Sequence, residues 1–548
     1  MIKNPLVLRR VSSSSLIFRM NKFKKLFSYP IVFFLLTATS FAFEHIESKV
    51  NFVEYEPKVI QNNLHKKKPF FLLFSAEWCH WCHIFNEETL TDEEVYTYLN
   101  ENFVSVFIDA DINNVAYKQY KAQGVPYTVF LNPDSSIYFK YSGTLYAEQF
   151  LEVIRDVNQS IKRGISLNQE EKEAFEYDAP IKFSKKTIVN FREAFIEGVI
   201  DNFDQKEYGI GKREKTILPE TFNYLFKTTK AKDRSDSIYF ISATLKKAID
   251  KIYDPIEGGF FRYAETADWE VPHFEKIANL NAGNVLLLYK VNQVKPDPIL
   301  KKAADHTLKY LSKTLYDSKI GSFLSFQQAD TSYYYLKKHR RENVEQPLVI
   351  DKIFTDNLAA TLIYLLEVLD IIKNRSLEKK VLSSTDFLAD MILNNESLFH
   401  YYSIQKKDWY GESGLSDYAL LAKLFQQAFT KYRFERYQKA ASKVLRISLK
   451  QYYDSEKNIF IDPQLDAKDY EYLMGINADF ALAIMAESKN NLGKINKMVE
   501  PLIGYFSGLE ELLEERIWDG KDWDLLERYA LFLSAAETYL DFKMNQQN

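Results

Sequence analysis

Apolar residues are distributed in two different ways along the 548-residue chain. Between about residues 50 and 160 they form short, nearly unbroken runs: Pro69-Phe70-Phe71-Leu72-Leu73-Phe74, Phe103-Val104-Ser105-Val106-Phe107-Ile108 and Val125-Pro126-Tyr127-Thr128-Val129-Phe130-Leu131. Runs of this length read as strands covered on both faces. A helix-like stretch containing Val95, Tyr98 and Leu99 separates the first two, and the polar segment 110–123 precedes the third. A turn at Asn132-Pro133-Asp134 then leads into strand-like Ile137-Tyr138-Phe139. Beyond residue 177 the spacing becomes helical, and residues 357–369, 415–432, 434–449, 478–487 and 525–542 predict amphipathic helices with few strand signals between them.

The helical part repeats weakly. A helix ends in an aromatic and an Asp, a short turn follows, and then a Gly and another aromatic. The copies are Phe203-Asp204 to Gly209, Tyr253-Asp254 to Gly258-Gly259-Phe260, Tyr316-Asp317 to Gly321 and Phe323, and Tyr453-Asp454 to Phe460, with a degenerate copy near Asn395. Such units suit stacked helical hairpins, either as an open solenoid or as a closed toroid; periodicity does not choose.

At the N-terminus, Lys22, Lys24 and Lys25 precede an apolar run over 31–43, and Ser40-Phe41-Ala42 presents small residues to a signal peptidase. This predicts an exported protein, periplasmic or secreted, with Met20 as the working start and cleavage after Ala42. The run is short for a bilayer span, so membrane attachment is expected only through an uncleaved signal. The expected organisation is a leader over 1–43, an α/β domain over 44–162, a polar linker over 163–184 and a helical domain over 185–548. A net charge of -4, with Lys and Arg dispersed, gives no footprint for nucleic acid. Aromatics at 15% are abundant, which fits either aromatic-rich packing or a cleft that stacks on a sugar.

The chain has two cysteines, in Cys79-His80-Trp81-Cys82-His83, where the first apolar strand turns into a helix. A bridge closing so small a loop contributes only about 2 kcal/mol, so its purpose is chemistry. A helix N-terminus stabilises a thiolate, and Cys79, expected to be the more exposed thiol, is the predicted nucleophile, with Cys82 resolving the mixed disulfide. A protonated His80 would favour the thiolate and move the pair toward oxidant or isomerase chemistry. The pattern Cys79-x-x-Cys82-His83 also fits c-type haem attachment, but haem needs neither the preceding strand nor the Val-Pro hairpin. Zinc is disfavoured because His80 and His83 interleave with the thiols. No metal and no cofactor beyond the reversible Cys79–Cys82 disulfide is expected.

The order of strand, CxxC helix, strand and proline-led hairpin resembles thioredoxin. That resemblance implies a cis Val125-Pro126 peptide lying against the thiols, with Trp78, His80, Trp81, His83 and Pro126 supporting the redox site. Leu73 departs from it by standing where thioredoxins bury an Asp. The strings Trp78 to His83, Gly258-Gly259-Phe260-Phe261-Arg262-Tyr263 and Trp269-Glu270-Val271-Pro272-His273-Phe274-Glu275-Lys276 resemble the thioredoxin-domain proteins related to spermatogenesis-associated protein 20. Further echoes lie at Asp351 to Asn357 and at Asp417-Tyr418-Ala419.

This family implies a multidomain fold: an α/β thioredoxin-like domain followed by an all-α (α/α)6 toroid similar to six-hairpin glycosidases and sugar epimerases. Arg262, His273, Glu275, Asp330, Asp356 and Asp417 are then candidates to face a central cleft and act on a sugar by acid–base chemistry. The structural alternative is that Asp254 and its repeats cap turns, while His273 and Glu275 brace the loop after the Gly-Gly turn. Leu280-Asn281, where relatives tend to have Asp-Asn, and the short segment after Ala329-Asp330 depart from the family.

The expected function is thiol–disulfide exchange on a protein or small-molecule partner, with a toroid that recognises that partner or a glycan. The alternatives are a carbohydrate-active epimerase or hydrolase with an accessory thioredoxin domain, and a non-catalytic scaffold.

Overall fold

The apolar runs form the centre of a five-stranded sheet in the computed structural model, which describes residues 48–56, 58–77, 79–122, 124–165, 183–228, 234–462, 470–487, 492–507 and 523–547. The leader and signal read at 1–43, most of the linker, and Trp78 lie outside the described residues. The strands are β1 (Val53–Glu54), β2 (Phe70–Ser75), β3 (Val104–Asp109), β4 (Tyr127–Leu131) and β5 (Ile137–Ser142), in the order β1-β3-β2-β4-β5. β2 pairs parallel with β3 and antiparallel with β4, which places the cysteine strand at the centre. Side chains alternate across β2: Phe71 and Leu73 join one core layer, Phe70, Leu72 and Phe74 the other. Both faces are covered, as the unbroken run requires.

Helices α1 (Val59–Asn63), α2 (His80–Ile84), α3 (Glu93–Asn102), α4 (Asn114–Gln119) and α5 (Ala147–Lys162) cover the sheet. Asp92 caps α3 by accepting the Glu94 and Val95 N–H groups. The polar segment 110–123 holds α4, which was not legible in the sequence because this short helix buries little beyond Ala116, with Tyr120 just past its end.

The remainder is built from helical hairpins. The inner helices are α7 (Pro219–Thr228), α9 (Ala278–Val294), α13 (Thr355–Ile371), α15 (Leu415–Tyr432), α17 (Tyr470–Glu487) and α19 (Trp523–Gln547). Each packs on the next, and α19 packs back on α7, so the ring closes. The outer helices α6 (Lys185–Asp201), α8 (Arg234–Lys251), α10 (Pro298–Lys313), α14 (Arg375–Asn394), α16 (Glu435–Gln451) and α18 (Leu492–Ser507) each precede an inner one, giving six hairpins. Two single-turn helices, α11 (Thr331–Tyr334) and α12 (Lys338–Arg341), interrupt the connector from α10 to α13. The architecture is an (α/α)6 toroid behind a thioredoxin-like domain.

The sequence repeat marks where an outer helix turns toward an inner one. Oδ1 of Asp204, Asp254, Asp317 and Asp454 each accepts two backbone N–H groups from the turn that follows, which satisfies the turn-capping alternative. Asn281 and Asn477 each clamp both backbone groups of a turn aromatic, Phe260 and Phe460. Gly258 and Gly259 both have φ near +86°, and a Cβ on Gly258 would lie 2.6 Å from the His306 carbonyl oxygen. At the degenerate copy near Asn395 the tight turn is replaced by a longer hairpin, residues 399–403 with 408–412.

Inside the ring, Glu527 accepts the Glu220 and Thr221 N–H groups at the start of α7. Burial, and then the neighbouring Glu220 carboxylate, push its carboxyl up to about 8. A raised carboxyl pKa contributes stability that is complete below the unfolded value and is lost as pH rises through about 8. Glu527→Gln keeps one of the two acceptors and turns an NH2 toward the other N–H, so it is expected to destabilise the fold at pH 5 and to be more favourable by several kcal/mol at pH 9, as read by urea denaturation at both values. Equal effects at the two pH values would refute this.

Candidate functional site: a disulfide facing the toroid

Cys79 and Cys82 are joined as a disulfide at the start of α2. The Cys82 N–H donates to Cys79 Sγ at 3.2 Å, so this sulfur occupies the helix cap. Val125-Pro126 is cis, as the thioredoxin resemblance implied, and the Val125 carbonyl oxygen lies 3.3 Å from Cys79 Sγ.

The expectation that Cys79 is the more exposed of the two thiols is corrected. Cys79 is 3% exposed and Cys82 5%, because both pack in one cluster with Ile277, Phe326, Ile350 and Phe354 of the toroid. Residues 43–548 form a single compact unit, and the connectors that precede the inner helices carry this contact. Inner helices α9 and α13 start directly behind Ile277 and Phe354, against the disulfide.

Charged contacts ring this apolar patch. Lys352 Nζ is 3.0 Å from Glu77 Oε2 and 3.7 Å from Asp109 Oδ2, with all three side chains largely buried. Burial raises the Asp109 carboxyl, and Lys352 partly offsets it. Leu73, where thioredoxins bury an Asp, is itself core, and a largely buried acid, Asp109, lies instead at the end of β3. The Glu77 carbonyl accepts from His83 Nε2 at 2.7 Å and from Gln328 Nε2 at 3.1 Å. His83 thus braces the loop entering α2. The His80 side chain lies outside what the structure describes.

The toroid candidates divide into two clusters and a remainder. In the first, His273 Nε2 pairs with Glu265, its Nδ1 lies 3.6 Å from Glu275, and Tyr263 stacks on the ring at 4.1 Å. Burial opposes a charged imidazole here, but the two carboxylates outweigh it and hold the pKa above the ordinary value. Arg262 adjoins this cluster over the Tyr263 ring, and Trp81 of the cysteine motif reaches it, 6.5 Å from His273.

In the second cluster, Asp356, His400 and Asp417 bring donor atoms within 4.8 Å of one another. His400 Nδ1 pairs with Asp417 Oδ2 at 2.8 Å, and the Asp111 backbone accepts from the same imidazole across the domain boundary. Burial disfavours the imidazolium, but Asp417 more than offsets this and carries it up to about 9. Asp330 joins neither cluster: it caps α11 through the Tyr333 N–H and the Ser332 hydroxyl.

Glu265, Glu77, Lys352, Asp109 and His400 were absent from the sequence-based set. His400 sits within Phe399-His400-Tyr401-Tyr402 with no spaced partner to flag it.

A cavity of about 890 Å³ opens at the other end of the ring, lined by Glu220, Tyr224, Glu367, Lys423, Lys431 and Glu537 among others. None of the six toroid candidates lines it, and Tyr224 is its single aromatic among the described residues. The abundant aromatics instead pack cores: Tyr224, Tyr310, Tyr333, Tyr437, Tyr529 and Tyr539 are among the largest fully buried side chains.

Residues 35–178 match the family model described as "Thioredox_DsbH: Protein of unknown function, DUF255". This match spans the thioredoxin-like domain. Relatives include the uncharacterized protein B0495.5 of Caenorhabditis elegans, 26% identical over 327 residues, covering 55% of this chain and 44% of the relative. Spermatogenesis-associated protein 20 of Rattus norvegicus is 25% identical over 314 residues, covering 53% of this chain and 40% of that protein. The chain thus spans less than half the length of the curated relatives it matches. Among solved structures, a D-mannose isomerase aligns with TM-score 0.48 and 11% identity over 65% of this chain and 98% of that one. Thus the DUF255-like domain carries the disulfide, and the helical ring abuts it.

Proposed function

We propose that this chain is an exported thiol–disulfide oxidoreductase whose toroid selects what reaches the Cys79–Cys82 pair. The observation that carries the reading is the shared enclosure: the only two cysteines of the chain sit at a thioredoxin-type strand–helix junction, against a cis proline, beneath the connectors of the ring. In the oxidised form a substrate thiolate attacks Cys79 Sγ, the Cys79–Cys82 bond breaks and Cys82 leaves as a thiolate. A second substrate thiolate then attacks the substrate sulfur of the mixed disulfide, releasing Cys79 as a thiolate and leaving the substrate oxidised by two electrons. The reverse sequence reduces a disulfide. The small exposure of both sulfurs favours a small thiol or an extended segment over a folded surface.

Cys82→Ser is expected to accumulate a mixed disulfide through Cys79 with a low-molecular-weight disulfide, seen as one adduct mass on the intact chain. Cys79→Ser should show none. Absence of the adduct, together with no dithiol oxidation by the native chain, would sink the reading.

A second reading is favoured by one observation, the largely buried His273 held by Glu265 and Glu275 with Tyr263 stacked on it. That constellation suits acid–base chemistry on a sugar. Under it, the double Cys→Ser chain keeps sugar turnover and His273→Ala loses it.

A further inference from the structure

We propose that Asp356, His400 and Asp417 form a binding site for one divalent transition cation, with zinc the best match, at the edge where the toroid meets the thioredoxin-like domain. The inference is independent of whether the disulfide turns over, and it departs from the sequence expectation of no metal. Asp356 lies in the first turn of α13, Asp417 in the first turn of α15, and His400 on the hairpin between α14 and α15. The fold thus gathers three residues that are far apart in sequence, with ligand atoms all within 4.8 Å.

A second observation points to a ligand. Asp417 is fully buried, and its Oδ2 accepts both His400 Nδ1 and the Gly414 N–H, while its Oδ1 is buried with no hydrogen-bond partner among the described residues. A buried carboxylate oxygen left without a donor is costly, and a cation removes that cost. His400 Nδ1 shares a proton with Asp417 Oδ2, and loading the site would release that proton and leave the nitrogen's lone pair for the cation. The same imidazole also bonds to the Asp111 backbone, the kind of outer contact that fixes a ligating ring in orientation.

Two carboxylates and one imidazole form a mixed oxygen and nitrogen set without sulfur. Magnesium and calcium prefer oxygen alone, whereas zinc accepts this combination with a fourth position left for water. Because Asp111 belongs to the thioredoxin-like domain, a loaded site would join the two domains. Phe354, whose ring centroid lies 5.5 Å from that of His400, also packs with Cys79 and Cys82.

The test uses the full chain, stripped with a chelator and dialysed against zinc, manganese or magnesium, with metal counted by mass spectrometry. The background is Cys79→Ser/Cys82→Ser, so that thiols cannot hold the metal. One zinc per chain is expected, with affinity at least about 10-fold weaker in Asp356→Asn and in His400→Gln, and a zinc-dependent rise in Tm that both variants lack. Asp356 is only half-buried, so its variant keeps the test valid if the His400 change impairs folding. No zinc on the double-serine chain, or undiminished binding by Asp356→Asn, overturns the proposal.

Discussion

Asp254→Ala is expected to destabilise the toroid by about 3–5 kcal/mol, because it strips the shared anion from two buried cations. Asp254 Oδ2 accepts Lys276 Nζ at 2.7 Å and Arg341 Nη1 at 2.9 Å, and Asp254 and Lys276 are both fully buried. Oδ1 also caps the turn that feeds Gly258 and Gly259. Burial works against ionisation of this carboxyl, but the two cations outweigh it and hold the pKa below its ordinary value. A depressed carboxyl pKa contributes stability that is present above the unfolded value and lost as pH falls through the folded one. The difference between Asp254→Ala and the native chain should therefore be full at pH 7 and shrink in acid, below about pH 4. Adding Lys276→Met should recover part of the loss, since it removes a cation left unpaired. Urea unfolding of the three chains measures this. A loss under about 1 kcal/mol at pH 7, or no recovery in the double variant, would refute it.

The same residues show how far the sequence could be read. The aromatic-Asp repeat located the turns because each Asp does a local job, capping backbone within three residues of itself, and local jobs leave short-range patterns. The doubly covered strand was legible for the same reason, since burial on both faces leaves an unbroken apolar run. Lys276, in contrast, was quoted within a motif but not assigned, because its partner Asp254 is 22 residues away and Arg341 reaches in from α12. Closure of the ring through α19 on α7 leaves no periodic signal either. The site was legible at its centre, Cys79, Cys82 and Pro126, and not at its rim. Glu77, Asp109 and Lys352 meet only when two domains dock, so no spacing in the chain announces them. The expectation that Cys79 is the more exposed thiol was overturned for that reason: the connectors of the ring cover both sulfurs.

Docking of the two domains around the disulfide makes Lys352 the residue whose loss should matter most for access. Its ammonium sits between Glu77 and Asp109, and burial, which opposes the charge, is outweighed by those carboxylates, so its pKa lies above the ordinary value. Lys352→Met leaves two carboxylates facing an apolar interface without a cation, a loss on the order of 3 kcal/mol that falls on the docked state. Each domain keeps its own core, so the expected result is separation rather than unfolding. A cost of about 3 kcal/mol raises the open population by about 100-fold, and reduction of the disulfide by a bulky protein reductant should accelerate by a similar factor. Dithiothreitol, which needs less opening, should gain less. Lys352→Arg should stay near the native rate, because a guanidinium can bridge the same two acids. If Lys352→Met is reduced by the protein reductant no faster than the native chain, the toroid does not gate the disulfide, and the two domains work independently of each other.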